Sequence, residues 1–225
     1  HQQFECHLKS KEDVEALCLY VSLEKVEEVF TNLTVQKSAQ LDQPFDRKKT
    51  PQPFLEKLYS LSESELGAHL RKVKKQLLND SEILNYTSFY YQLAEKMVTS
   101  QLKIDRQIGK IDSAKLSTRT ELFNRLTTAR NYIYGNYKAN IQLDELSKVA
   151  LLSKYHLLRT YKKVFDITPY QQVLKLRLET AKDMMKTDRS LEDIAFHVGF
   201  SDRRSFTKAF KKEEGVSPSV YRKLN

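Results

Sequence analysis

Apolar residues along this chain alternate only at its start and recur at helical spacing almost everywhere else. Phe4, Cys6 and Leu8 fall on one face of an extended segment, and Ala16 to Val21 forms a short apolar run, so two strands are expected. Ser22 is placed to cap a helix whose stripe is Val26, Val29, Phe30 and Leu33. Two strands and a helix are too little for an independent β domain. Residues 34–53 hold Pro44, Pro51, Pro53 and the basic run Arg47-Lys48-Lys49, the composition of a linker or exposed loop. Ser62 and Glu65 then form a capping-box pattern ahead of Leu66, Leu70, Val73 and Leu77. After Asn79-Asp80-Ser81 a second stripe follows: Ile83, Tyr86, Tyr90, Leu93, Ala94, Met97 and Val98. Two amphipathic helices with a short connection predict an antiparallel hairpin. Its apolar face packs internally or against a second subunit.

The polar stretch 105–118, with Gly109, is expected to link the two halves of the chain. From Ser117 a helix is predicted with Leu122, Leu126, Ala129 and Ile133 on one face, ended by Gly135 in the left-handed conformation. Beyond it, one pattern occurs twice, about 49 residues apart: Leu143 to Pro169 and Leu191 to Pro218. Each copy is a short acidic-apolar helix, a turn, a basic helix and a Thr-Pro or Ser-Pro. In the first, Leu143, Leu146 and Val149 face a core and Ser153 caps the basic helix. That helix carries Leu157, Leu158, Tyr161 and Phe165 as apolar surface, with Lys154, Tyr155, Arg159, Lys162 and Lys163 left more polar; the split is imperfect, with Leu158 close to the outer face. In the second, Ser190 caps a helix with Leu191, Ile194, Ala195 and Val198 inward, and Gly199 supplies a turn residue. Phe200, Phe206 and Phe210 are the core side of its basic helix. Arg203, Arg204, Thr207, Lys208, Lys211 and Lys212 remain for solvent or a ligand. The copies align with one extra residue in the second, between Ala195 and its basic helix.

A single helix joins the copies, capped by Thr168, with Pro169 at its first position and Gln171 completing a capping box. Its expected buried stripe is Tyr170, Leu174, Leu178, Ala181 and Met185. About 17 residues at ~1.5 Å each give roughly 26 Å. With the flanking turns, the basic helices would lie near one DNA turn apart, about 34 Å. Arg on such helices bonds guanine in the major groove, while Lys neutralises phosphate.

Composition sharpens this picture. The 225 residues include only five Gly, five Pro and no Trp, which favours a mainly α fold. The net charge is +9, and it is uneven: residues 121–225 carry 20 basic and 12 acidic side chains, against 18 and 17 before them. A polyanion partner and a Lys-rich solvated surface both fit that charge. Two cysteines, Cys6 and Cys18, make neither a disulfide framework nor a zinc pattern, as in a reduced cytoplasmic setting. No stretch is apolar enough to span a membrane and no secretory signal pattern occurs. The first residue is His1 and not Met, as in a fragment or processed product. A P-loop, a Gly-rich dinucleotide turn and an H-E-x-x-H motif are all missing, so an enzyme is not expected, and neither is a cofactor. His1, Cys6 and His7 have metal-ligating chemistry, but no metal site is assigned to a terminus.

The segment from about Thr120 to Asn225 resembles the DNA-binding domain of the AraC/XylS family of bacterial transcription regulators. The residues that carry the resemblance are Asp193-Ile194-Ala195, Gly199-Phe200, Asp202, Phe206, Phe210-Lys211-Lys212, Gly215, Ser217-Pro218 and Tyr221-Arg222. Ser153 to Leu157 with Arg159 and Tyr161-Lys162-Lys163 match the first half; Arg177, Ala181 and Met184-Met185 match the joining helix. The resemblance implies that Tyr155 and Arg159, then Arg203, Arg204 and Lys208, face bases. It assigns Lys154, Thr207, Lys211 and Lys212 to phosphate, with Lys162 on the same basic face. Departures stand at Asp166 in place of glycine, Ser147 in place of alanine and Tyr161 in place of phenylalanine. His156 is expected to be buried or capping, Arg177 to pair with an acid such as Asp193, Met184-Met185 to pack in the core, and Tyr86, Tyr90 and Tyr91 to serve core or subunit contacts.

The expectation is therefore a mainly α protein in three parts: a regulatory or dimerising region at 1–104, a linker at 105–118, and two helix-turn-helix subdomains joined by a helix at 119–225. Its function would be sequence-specific transcription regulation. Expected partners are double-stranded DNA, RNA polymerase, a second copy through residues 54–103, and a small-molecule effector in an N-terminal domain. Regulators of this kind usually join such a domain to a small β-barrel, so the chain is either truncated or a variant with a mainly helical regulatory half. The alternatives are a sequence-nonspecific architectural DNA binder, a helical protein-interaction module, and a DNA-repair methyl acceptor, the last disfavoured by the cysteine count.

Overall fold

The structure is a computed structural model that describes residues 21–34, 65–78 and 86–224. The strand expected at Phe4–Leu8, residues 16–20 of the second expected strand, the Pro-rich stretch 35–53, Ser62, Ile83 and the His1/Cys6/His7 group lie outside the described residues. The described residues contain helices and no strand. The described residues divide into two compact units, residues 21–34, 65–78 and 86–100 in the first and residues 101–224 in the second.

In the first unit, α1 spans Leu23–Thr34 and α2 Glu65–Leu78; α3, Tyr86–Gly109, begins there. Ser22 caps α1 as expected, its Oγ accepting the Lys25 amide at 3.3 Å. Val26, Val29 and Phe30 are buried, but Leu33 is exposed and Thr31 is buried in its stead. The helix stripe is therefore rotated toward Thr31, whose hydroxyl is satisfied by the Glu27 carbonyl at 2.8 Å. Leu66 on α2 and Phe89, Leu93, Ala94 and Val98 on α3 are buried. Tyr91 braces this unit: its hydroxyl bonds Glu28, and the Lys25 ammonium lies 3.6 Å over its ring.

In the second unit, α4 spans Leu116–Asn136, α5 Leu143–Val149, α6 Lys154–Phe165, α7 Pro169–Met184, α8 Leu191–His197, α9 Arg203–Glu214 and α10 Pro218–Leu224. The stretch 105–118, expected to be a linker, is helical to Gly109 and again from Leu116. Ile104, Ile108 and Ile111 are buried, an apolar spacing of three and four hidden among polar neighbours. On α4, Phe123 joins Leu126, Ala129 and Ile133 in the core, with Leu122 only half-buried. Gly135 does not end the helix in the left-handed region; α4 runs through it to Asn136 and closes on Tyr137 in right-handed geometry.

Helix α4 lies against α5, α6 and α7 and makes the core of the first repeat. Phe165 meets Phe123 at 6.1 Å and Tyr161 at 4.7 Å between centroids, and the Arg130 guanidinium covers its ring at 4.7 Å. The second repeat packs Leu178, Ala181 and Met185 of the joining helix against Ile194, Ala195, Val198, Phe206 and Phe210. A ladder of rings from Phe200 through Phe206 and Phe210 to Tyr221 has centroid steps of 5.3, 5.7 and 5.3 Å, the first tilted and the other two edge-on. Helix α7 contributes to both cores, which is why Val173, Leu176 and Gln172 are buried in addition to the expected stripe. Tyr170, expected in that stripe, is 75% exposed. It stands on the rim of a cleft of about 630 Å³ that Arg177, Phe200 and Ser205 also line.

Candidate nucleic-acid interface

The two turns that aim the basic helices are built from the same hydrogen bonds. In the first, the amides of Ala150, Leu151 and Leu152 bond the carbonyls of Leu146, Lys148 and Ser147 at 2.9, 3.1 and 3.0 Å. In the second, Val198, Gly199 and Phe200 bond Ile194, Phe196 and Ala195 at 3.0, 3.0 and 2.9 Å. The register differs by one residue only after Phe200, so Ser201 is the extra residue of the second copy. The middle position has positive φ in both: +52° at Leu151 and +97° at Gly199. Glycine is required at the second because a Cβ there would overlap the backbone carbonyl of Lys138. Leu151 meets the same backbone demand with a side chain that is 73% exposed, and its carbonyl accepts Arg125 Nη1 at 3.2 Å.

Both basic helices are capped at each end. Ser153 Oγ accepts the His156 amide at 3.3 Å, and Asp202 Oδ1 accepts the Ser205 amide at 2.7 Å. The Ser205 and Ser201 hydroxyls also donate to Asp202, and these bonds hold its carboxyl below the usual carboxylate range. At the other end, Asp166 (φ 64°) and Gly215 (φ 78°) both take the left-handed conformation, their amides closing on Lys162 and Lys211. The aspartate that departs from the family's glycine adopts the geometry all the same. Lys110 ion-pairs with its carboxylate at 2.7 Å, offsetting a negative charge at a helix C-terminus.

The caps and cores leave a basic face on each helix. On α6, Tyr155, Arg159 and Lys162 are exposed opposite Leu157, Tyr161 and Val164. Lys154 is also exposed and pairs with Asp144. On α9, Arg203, Arg204, Lys208, Lys211 and Lys212 are exposed opposite Phe206 and Phe210. Thr207 is half-buried and donates its hydroxyl to the Arg203 carbonyl at 2.8 Å.

Leu158 is 38% exposed and faces outward, as the imperfect split of this helix allowed, with Thr160 and Val164 taking the inner positions. Two expectations are corrected here. His156 is exposed; only its amide is engaged by the cap. Arg177 does not pair with Asp193. Its Nε donates to the Tyr137 carbonyl at 2.7 Å and its Nη2 to the Ala139 carbonyl at 2.8 Å. It thereby straps the loop after α4 to the joining helix, next to Gly199. Burial pulls its pKa below the usual arginine value, with Tyr170 acting in the opposite sense. No spacing rule could have shown this, because its partners are carbonyls about 40 residues away in sequence.

A helix-turn-helix domain family matches residues 146–224, which contain both turns. The HTH-type transcriptional activator AarP of Providencia stuartii is 33% identical over 92 residues, covering 40% of this chain and 68% of that protein. The chain belongs to the AraC/XylS family. The raffinose operon transcriptional regulatory protein RafR of Pediococcus pentosaceus is similar at 38% identity over 105 residues, 46% of this chain. This chain spans only 37% of RafR's length. Among solved structures, the C-terminal domain of AraT, a response regulator from Geobacillus stearothermophilus, is 29% identical with a TM-score of 0.43; the match covers 45% of this chain and 85% of that one. Asp166, Ser147 and Tyr161 are thus variations within an AraC/XylS double helix-turn-helix. Ser147 keeps its hydroxyl on the Asp144 carbonyl at 2.8 Å, and Tyr161 is fully buried.

Proposed function

We propose that this protein is a sequence-specific, DNA-binding transcription regulator that sets α6 and α9 into successive major grooves of one duplex. The observation that supports it most is the repeated turn. Two hydrogen-bond patterns of the same form each present a capped, basic, solvent-exposed helix, and one 16-residue helix of roughly 24 Å separates them. Tyr155 and Arg159 in α6, and Arg203, Arg204 and Lys208 in α9, are the base-reading set. Lys154, Lys162, Thr207, Lys211 and Lys212 serve the phosphates. Residues 119–225 are the DNA-binding part, with a regulatory and dimerising role for the region before the 105–118 segment. RNA polymerase, a second copy through residues 54–103 and a small-molecule effector are the further partners of this reading, in a cytoplasmic, nucleoid-associated setting. Among the described residues no helix is long and apolar enough to cross a membrane.

The test is selection of bound duplexes from a random pool, followed by footprinting. A footprint with two protected major grooves one turn apart per chain is expected. Arg159→Ala and Arg204→Ala should each cost about 1–3 kcal/mol on the selected site, and affinity should fall steeply with salt. Intact specific binding in both variants would overturn the groove assignment.

A further inference from the structure

The connection between α3 and α4 carries a charge device aimed at the first basic helix. Its sequence is Lys110-Ile111-Asp112. Ile111 is buried and anchors the turn, whose amides bond back to Gln107 and Ile108. The charged residues on either side reach α6 in a crossed arrangement. Lys110 holds Asp166 at the helix C-cap, and Lys163 Nζ donates to both oxygens of Asp112 at 2.6 Å.

Lys163 lies one helical turn beyond Arg159, so it extends the exposed stripe of Tyr155, Arg159 and Lys162. Its ammonium is placed as a phosphate donor, yet it is already occupied by a carboxylate of the same chain. Arg159 also feels that carboxylate: Lys163 first, and Arg159 more weakly, hold Asp112 below the usual carboxylate range. A phosphate on Lys163 would meet Asp112, and two anions on one ammonium repel.

We propose that Asp112 is an internal competitor for DNA, an autoinhibitory contact that withholds Lys163 from phosphate. The claim rests on α6 being a DNA-binding helix. The competitor sits directly after α3, so a displacement of the end of that helix withdraws Asp112 and adds one phosphate contact. Affinity is then set by the segment leading into the domain as well as by the recognition helices.

The experiment is a fluorescence-anisotropy titration of the full chain on its selected duplex, between about 50 and 200 mM salt. Asp112→Asn should bind about two- to fivefold more tightly, the range of an exposed ion pair. Its salt dependence should steepen by about 0.9 in log–log slope, one further phosphate. Lys163→Ala in the Asp112→Asn background should abolish both gains. Asp166→Asn breaks only the neighbouring pair and should leave the slope at the wild-type value. Circular dichroism checks folding, and Asp112→Ser replaces the asparagine variant if that one does not fold. An unchanged affinity and slope on freeing Lys163, or an Asp166→Asn variant that behaves like Asp112→Asn, would overturn the competitor. Wild-type chain that binds no duplex overturns the regulator reading, and the competitor with it.

Discussion

Gly199→Ala and Leu151→Gly change the same turn position in the two repeats and should move stability in opposite directions. At Gly199 a methyl group meets three atoms at once. It overlaps the Lys138 carbonyl oxygen, lies 2.9 Å from the carbonyl carbon and comes within 3.0 Å of Arg177 Cζ. None of these can yield cheaply. Lys138 sits between the two residues whose carbonyls Arg177 binds, so shifting its carbonyl strains both of those bonds. The φ of +97° adds strain for any residue with a Cβ. Backbone strain of ~1 kcal/mol and a weakened charged hydrogen bond of ~1–2 kcal/mol give a loss of about 2–3 kcal/mol. That is a large part of a domain stability of about 5–15 kcal/mol. Leu151 is the reverse case. Its side chain is 73% exposed, so removal loses little burial, while its φ of +52° ceases to cost. Relief of ~1–2 kcal/mol, reduced by ~1 kcal/mol of glycine's unfolded-state entropy, leaves a gain of about 0.5 kcal/mol. Urea unfolding followed by circular dichroism measures both. A Gly199→Ala chain within about 0.5 kcal/mol of wild type, or a Leu151→Gly chain clearly less stable than wild type, would refute this account of the turns.

Arg177→Lys keeps the charge, but one ammonium on a flexible stem cannot span the Tyr137 and Ala139 carbonyls as the planar fork does; a loss of about 1–3 kcal/mol in urea unfolding is expected, and an unchanged midpoint argues against the strap. Asp202→Ala should cost stability in a pH-dependent way. The Asp202 pKa is lowered in the folded state, first by the Ser205 amide, so its contribution is complete above the unfolded value near ~3.9 and is lost as pH falls through the folded value. The melting-temperature gap between wild type and Asp202→Ala should therefore close as pH drops below about 4, and a gap that widens there contradicts the cap assignment.

The two repeats and their caps were legible because their signals are local. Ser22, Ser153, Ser190 and Thr168 each engage an amide three residues on, and Gln171 returns the bond at Thr168. Such bonds need only a chain that turns into a helix, so residue type and spacing suffice. Helix faces were legible in their middle and not at their edges. Leu33, Leu158 and Tyr170 fit an apolar stripe by spacing, and all three are exposed. Which flank of a helix is covered depends on where its neighbours lie. Helix α7 touches two cores, so Val173, Leu176 and Gln172 are buried and Tyr170 is turned out.

From its own residues, then, the chain determined which segments become helices, where the basic helices start and stop, and that a turn–helix unit is used twice. Those properties follow from interactions within about four residues, which a linear pattern records. The tertiary structure alone decided that Arg177 grips backbone carbonyls, that Gly199 must lack a Cβ because Lys138 passes beside it, and that Asp112 occupies Lys163. Each of those pairs is separated by some 40 to 60 residues. Folding brings them together through the burial of other side chains, and no local periodicity marks that.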